Sequence, residues 1–237
     1  MKLSIIIPVY NEENSILEVL DQLLKLKFPE IITDWEIVIV DDCSTDNSAE
    51  KIKKYIADKE NIRYIKHQEN RGKGASVRTG IKEAAGDVFL FQDADLELSP
   101  KDIPRMIEIM DELDVELVNG SRYLTGLARP LSSYKRYLAN RFFTFLTSLA
   151  INVKISDMAC GYKLIHRKLM ESISLKENRF GFEAELIIKA LRIKKNNITE
   201  IPVQYFPRNV DEGKKLSSID GIKILWTIFK YGILRLN

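Results

Sequence analysis

Four apolar runs in the first part of the chain, residues 3–9, 35–40, 62–66 and 88–92, constrain its fold more than any other feature. The first, Leu3-Ser4-Ile5-Ile6-Ile7-Pro8-Val9, is almost continuously apolar, the mark of a strand buried on both faces. Between the runs lie stretches of helical length and periodicity: residues 11–26, 46–58 and 74–85. Asn11 reads as the cap of the first, with acidic residues in its opening turn. Strands alternating with helices predict right-handed crossovers and a mostly parallel sheet. Such sheets bind ligands outside the carboxyl ends of their strands. Three acidic or polar clusters fall at those ends: Tyr10-Asn11-Glu12, Asp41-Asp42-Cys43-Ser44 and Asp93-Ala94-Asp95. Farther on, residues 100–113, 138–151, 179–193 and 220–236 read as helices. Residues 117–121 and 201–206 read as strands.

At 237 residues the chain is long enough for one well-buried core, and no repeat or linker divides it. Charge is divided unevenly. Residues 1–118 hold 15 Lys and Arg against 25 Asp and Glu, a balance of −10; residues 119–237 hold 21 against 9, a balance of +12, which together give the net +2. A basic second half predicts an anionic partner, with a diffuse solvated surface as the alternative. Nucleic acid is disfavoured, because the acidic strand ends would repel its phosphates. Two cysteines without metal-type spacing imply reduced thiols, and no signal-peptide pattern stands at the start.

The residue chemistry at the strand ends suggests a phosphorylated ligand. Asp93 and Asp95 flank one small residue, and paired carboxylates suit a divalent cation that takes its other ligands from phosphate and water. A solvated turn is the competing reading of Asp-x-Asp. Asp41 and Asp42 are adjacent like charges that need a donor or cation nearby, although Asp41 also reads as a helix cap. Arg71-Gly72-Lys73-Gly74 is a glycine-punctuated loop opening a helix, suited to anions or simply to a turn, and its spacing is not that of a P-loop. His67 and His166 read as non-catalytic.

Taken in order, the motifs resemble those of the inverting family 2 glycosyltransferases, and among them the dolichyl- or polyprenyl-phosphate mannosyl- and glucosyltransferases. The matching pieces are Ile7-Pro8-Val9-Tyr10-Asn11-Glu12, Val40-Asp41-Asp42-Cys43-Ser44-Thr45-Asp46, Asn70-Arg71-Gly72-Lys73-Gly74, Gln92-Asp93-Ala94-Asp95 and Ser121-Arg122-Tyr123. Farther on come Ser156-Asp157-Met158-Ala159-Cys160-Gly161-Tyr162-Lys163, Phe180-Gly181-Phe182-Glu183, and Pro207-Arg208 with Gly213-Lys214-Lys215. The resemblance implies an α/β GT-A fold: a mostly parallel twisted sheet flanked by helices, with a Rossmann-like nucleotide half and an acceptor-side extension. It implies a single domain over 1–237, with 1–118 mainly on the donor side and 119–237 mainly on the acceptor and membrane side.

The same resemblance implies the roles. Pro8, Tyr10, Glu12 and Asp42 or Asp41 would surround base and ribose. Arg71, Lys73, Gln92, Ala94, Arg208 and Lys215 would line the rest of the nucleotide-sugar site. Asp93 and Asp95 would hold Mg²⁺ or Mn²⁺ against the donor diphosphate. Arg122 and Arg136 would receive an acceptor phosphate, with Arg129 and Lys135 in reserve. Asp93, Asp95, Asp157 and Arg208 form the expected catalytic set, and Asp157 is the expected base if the acceptor is a hydroxyl, with Glu183 and Glu185 behind it. The implied reaction moves mannose or glucose from a nucleotide-diphosphate sugar such as GDP-mannose or UDP-glucose to polyprenyl or dolichyl phosphate. A hydroxyl acceptor on a polysaccharide or glycolipid, and a non-catalytic nucleotide-sugar-binding protein, remain as alternatives.

No segment has the roughly 20 consecutive apolar residues of a membrane span. Residues 138–151 and 220–236 can instead lie in the interface, with Phe142, Phe143, Phe145, Trp226 and Phe229 facing lipid, or pack on the sheet as core helices. The expected location is the cytoplasm, peripheral at the cytoplasmic face of the membrane, by direct contact or through a membrane partner.

Overall fold

The computed structural model describes residues 1–127, 133–193, 197–208 and 218–236. The continuous apolar runs become the centre of one sheet. Strand β1 (Lys2–Val9) pairs in parallel with β2 (Asp34–Asp41) on one side and β4 (Val88–Phe91) on the other; β3 (Ile62–Lys66) extends the sheet beyond β2. Along β1 the side chains alternate between two layers, as strand geometry requires. Leu3, Ile5, Ile7 and Val9 enter a core built with α1 (Ile16–Leu24), α2 (Ser48–Ile56) and α4 (Ile103–Glu112). Ile6 enters the opposite core with Val38, Val40, Phe89 and Phe91, covered by α3 (Lys73–Glu83) and α7 (Phe182–Ile193).

Among the described residues seven strands run in the order β3-β2-β1-β4-β6-β5-β7, where β5 is Leu117–Ser121, β6 Lys163–His166 and β7 Ile198–Pro202. Strand β6 was not anticipated from the sequence. It lies antiparallel between β4 and β5, so the sheet is mostly rather than wholly parallel. The last strand occupies 198–202 instead of the expected 201–206, paired in parallel with β5. Residues on both sides of position 119 share this one sheet.

Two further helices pack on α7: α5 (Tyr134–Ile151) and α8 (Ser218–Thr227), the latter continuing into a π-helical turn at Ile228–Ile233. A short α6 (Arg167–Glu171) follows β6. The first helix starts at Ile16, not Asn11. Asn11 takes a left-handed backbone (φ 51°), outside the helical region. Its side-chain carbonyl accepts the Thr45 N–H at 2.8 Å, while its own N–H reaches Ser44 Oγ at 3.0 Å. Asn11 therefore ties the β1 and β2 ends together instead of capping a helix.

Gly80 lets α3 lie close on β1, since a Cβ there would run into Ile6 Cγ2. Helix propensity alone predicts that Gly80→Ala stabilises, by about 1 kcal/mol. Overpacking reverses the sign: the variant should lose about 1–3 kcal/mol in urea unfolding, and a stability gain would show that the α3–β1 contact yields easily.

Candidate active site

A cavity of about 490 Å³ opens where the strand order reverses, with β2 and β3 on one side of β1 and β4 on the other. This reversal is the ligand crevice of open α/β sheets. Of the residues singled out in the sequence, Pro8, Tyr10, Glu12, Asp42, Lys73, Asp93, Ala94, Asp95, Arg122, Arg136 and Arg208 all line it.

The floor is acidic and is held by two cations. Arg208 grips Glu12 with both terminal nitrogens (2.9 and 3.1 Å) and reaches Asp95 Oδ2 at 3.1 Å, joining the ends of β1 and β4. Lys73, at the start of α3, contacts Asp93 at 2.6 Å and Glu183 at 2.8 Å. Burial would lower the Lys73 ammonium, but Asp93 and Glu183 outweigh it and hold the group above its ordinary value. Burial, with help from Asp93 and Glu97, raises the Asp95 carboxyl to about 6 despite Arg208. The turn is set from behind: Gln92 donates to the Asp93 carbonyl at 2.9 Å and accepts from the buried Tyr162 hydroxyl at 2.6 Å. Gly161 presses on this turn so closely that a Cβ would strike Asp93 Oδ2. The buried Lys163 ammonium, pushed down by desolvation, donates to the carbonyls of Cys160 (2.6 Å) and Met158 (3.4 Å), fixing the segment that delivers Gly161.

Four expected site residues do not line the cavity. Gln92 is fully buried and holds the turn after β4 from behind. Asp41 is buried below, accepting from Ser44 N–H at 2.8 Å and Tyr64 hydroxyl at 2.6 Å. Its neighbour Asp42 faces the cavity and takes the N–H groups of Arg71 (2.9 Å) and Gly72 (2.7 Å), with His67 at 2.7 Å, so it shapes the 70–73 loop. Arg71 joins through that N–H, its side chain lying outside the lining. Asp157 is the most fully engaged of the four. Both of its oxygens bind the Arg122 guanidinium (2.7 and 2.9 Å), and Arg122 N–H adds a third contact at 3.0 Å. This fully buried carboxylate orients Arg122. Glu185 is likewise committed, to Lys176 N–H, Glu177 N–H and Lys189. Lys215 and Arg129 lie outside the described residues.

The sequence reading missed Tyr137, Asn140, Arg179, Tyr205 and Asp220, which also line the cavity. Only Arg179 carried a signal, standing directly before the Phe180-Gly181-Phe182-Glu183 motif. Asp93 and Asp95 offer hard oxygen donors, and no group of three His, Cys, Asp or Glu gathers among the described residues. That donor set fits a Mg²⁺- or Mn²⁺-type ion sharing its remaining positions with phosphate oxygens and water.

Removing half of a buried ion pair leaves the other charge uncompensated. Asp157→Asn should cost about 3 kcal/mol or more and lower Tm by several degrees; an unchanged Tm would show that Arg122 is held by something else.

Residues 4–174 match the sequence profile of glycosyl transferase family 2. The dolichyl-phosphate beta-glucosyltransferase of Saccharomyces cerevisiae is 32% identical, over 94% of this chain and 71% of the relative. The dolichol-phosphate mannosyltransferase of Pyrococcus furiosus is 30% identical, over 90% of this chain and 59% of the relative. The chain thus spans between about half and three quarters of the length of these curated relatives. In fold it is similar to glucosyl-3-phosphoglycerate synthase from Mycobacterium tuberculosis, solved with Mn²⁺, UDP and glucosyl-3-phosphoglycerate, at TM-score 0.72 and 18% identity over 98% of this chain and 80% of that one. S. aureus TarS with UDP-GlcNAc gives TM-score 0.62 at 23% identity, over 97% and 67%. Sequence and fold converge, and the protein is a GT-A enzyme of glycosyl transferase family 2.

Proposed function

We propose that the enzyme transfers a hexose, glucose or mannose, from a nucleotide-diphosphate sugar to dolichyl or polyprenyl phosphate at a membrane surface. One observation carries this reading: a single cavity is lined by the acidic strand ends, by Arg122 and Arg136, and by the apolar side chains Ala139 and Phe143 of α5, Phe180, and Ile224 of α8. Acidic, cationic and apolar groups in one cavity match the sugar nucleotide, the phosphate and the hydrocarbon of the reactants. The names of the relatives from S. cerevisiae and P. furiosus support the same class of acceptor.

Asp93 and Asp95 would hold Mg²⁺ or Mn²⁺, which supplies positive charge against the departing nucleoside diphosphate. Pro8, Tyr10 and Glu12 wall the nucleotide side, Asp42 holds the 70–73 loop against it, and Arg208, whose fork holds Glu12 and Asp95 here, would supply positive charge to the donor phosphates. Arg122, clamped by Asp157, and Arg136 orient the acceptor phosphate. Its oxygen is already ionised at neutral pH and attacks the anomeric carbon in line, inverting the configuration while the diphosphate leaves. Positioning and charge compensation carry such a step without a strong base. The commitment of Asp157 and Glu185 to structural partners agrees with that economy. In this division of labour residues 1–118 serve mainly the donor and 119–237 mainly the acceptor.

The membrane seat is part of the proposal. No described helix is long and apolar enough to cross a membrane. On α5, Tyr134, Leu138, Phe142, Phe145 and Leu149 are exposed and recur at helical spacing, along one face. Ile222, Trp226, Phe229 and Ile233 form a second exposed stripe on α8 and the π-turn, and α5 packs against that turn. Phe143 departs from expectation by facing the cavity instead. Lys135, Arg141 and Lys223 accompany the stripes, so the surface suits anionic lipid headgroups over hydrocarbon. The proposed side is the cytoplasmic face.

Three outcomes test this reading. Incubation of GDP-mannose or UDP-glucose with a polyprenyl phosphate and Mn²⁺ should yield an acid-labile, organic-soluble sugar product; donor cleavage without it would move the acceptor to a hydroxyl. Asp95→Asn should lower that transfer by about a hundredfold or more, whereas near-normal turnover would remove Asp95 from the cation site. The protein should float with anionic liposomes at low salt, and the Phe145→Glu, Trp226→Glu double variant should not; equal flotation of both would defeat the interfacial seat.

A further inference from the structure

The cavity is lined by five cationic side chains among the described residues: Lys73, Arg122, Arg136, Arg179 and Arg208. Three of them are already compensated by carboxylates. Lys73 is shared by Asp93 and Glu183, Arg208 by Glu12 and Asp95, and Arg122 is bound by both oxygens of Asp157. Among the described residues Arg136 makes one hydrogen bond, to the Arg208 carbonyl at 3.3 Å. The Arg179 side chain has neither a hydrogen bond nor an ion pair with any described residue. A phosphate monoester carries about two negative charges at neutral pH. Arg136 alone falls short of that, and Arg122 brings its own counter-charge.

We propose that Arg179 is a further binding residue for the acceptor phosphate, completing with Arg136 the uncompensated positive charge that a lipid phosphate needs. This rests on the lipid-phosphate reading above.

Arg179 is held on a firmly tied backbone. The Asn178 carbonyl accepts Ala75 N–H at 3.1 Å, the Glu177 carbonyl accepts from Arg78 at 2.6 Å, and Arg78 also reaches the Asn178 side chain. From the other side, Glu185 takes the N–H groups of Lys176 (2.9 Å) and Glu177 (2.8 Å). The strap lies so close on the start of α3 that a Cβ at Gly72 or Gly74 would collide with its carbonyls, and the Arg179 side chain begins directly over Gly72. The backbone beneath this arginine is therefore ordered before any ligand arrives, which lowers the entropy cost of binding through it.

Arg179 springs from over Gly72 of the 70–73 loop, but unlike Lys73 and Arg208 it is not bound to Asp93 or Asp95. The residue that follows it sets the acceptor side. Arg179 is followed at once by Phe180, which joins Phe143 and Ile224 both in the apolar cluster and in the cavity wall. Arg179 thus stands where a charged headgroup would give way to its hydrocarbon.

Steady-state transfer from the preferred donor to a polyprenyl phosphate tests the proposal, with Arg179→Gln, Arg179→Lys and the unaltered enzyme compared after equal Tm has been verified. Arg179→Gln should raise the acceptor KM about tenfold or more, the loss of one charge-assisted contact, while donor KM moves less than about threefold. Arg179→Lys should recover part of the difference, because charge is restored without the planar fork. An unchanged acceptor KM in Arg179→Gln, or a donor KM that rises as much as the acceptor KM, overturns the assignment while unaltered enzyme still transferring to lipid phosphate keeps the broader reading. No transfer to lipid phosphate by the unaltered enzyme overturns both.

Discussion

Like charges at the ends of neighbouring strands are the constraint around which this molecule is arranged. Glu12 follows β1, Asp93 and Asp95 follow β4, and Glu183 opens α7, all against one cavity. Carboxylates packed this way repel one another unless cations stand between them. Arg208 and Lys73 do so from opposite sides. Arg208 comes from far along the chain and Lys73 from the first turn of α3, so the acidic floor also binds the later part of the chain to its first half. Electrostatic compensation and tertiary closure are here the same contacts.

A second layer of residues sets those contacts without touching the cavity. Gln92 and Tyr162 fix the turn after β4, Lys163 fixes the segment that brings Gly161 against Asp93, and Asp157 sets the Arg122 guanidinium. Each is fully buried, where an unpaired polar group is costly and a satisfied one is rigid. In the proposed reaction that rigidity takes the place of a strong base, because a phosphate oxygen needs alignment more than deprotonation.

Much of this was legible in the sequence, for a physical reason. A strand buried on both faces must be apolar throughout, so β1, β2 and β4 announce themselves, and the polar residues that end them mark the ligand side. The parts that were not legible depend on partners distant in sequence. Strand β6 is four residues long and begins with a buried lysine, giving neither alternation nor a long apolar run. Asn11 has the composition of a helix cap, and only its bonds to Ser44 and Thr45 reveal that it joins two loops. Asp157 reads as a free acid until Arg122 is seen beside it, 35 residues earlier. Arg179 gave a local signal but no hint that its side chain would stand without a counter-charge among the described residues.

The placement of β6 also bears on how the chain is made. Strand β4, Val88–Phe91, is apolar and fully buried, with one edge on β1 and the other on β6. Its neighbour β1 precedes it, with β2 and β3 beyond, but the strand that closes its second edge comes about 70 residues later, a delay of roughly 4–15 s at ordinary rates of synthesis. Throughout that interval the emerging protein displays the bare margin of what will be its central hydrophobic strand, open to any passing β-segment. Yield in the cell should therefore depend on holdase chaperones during translation more than the stability of the finished enzyme would suggest.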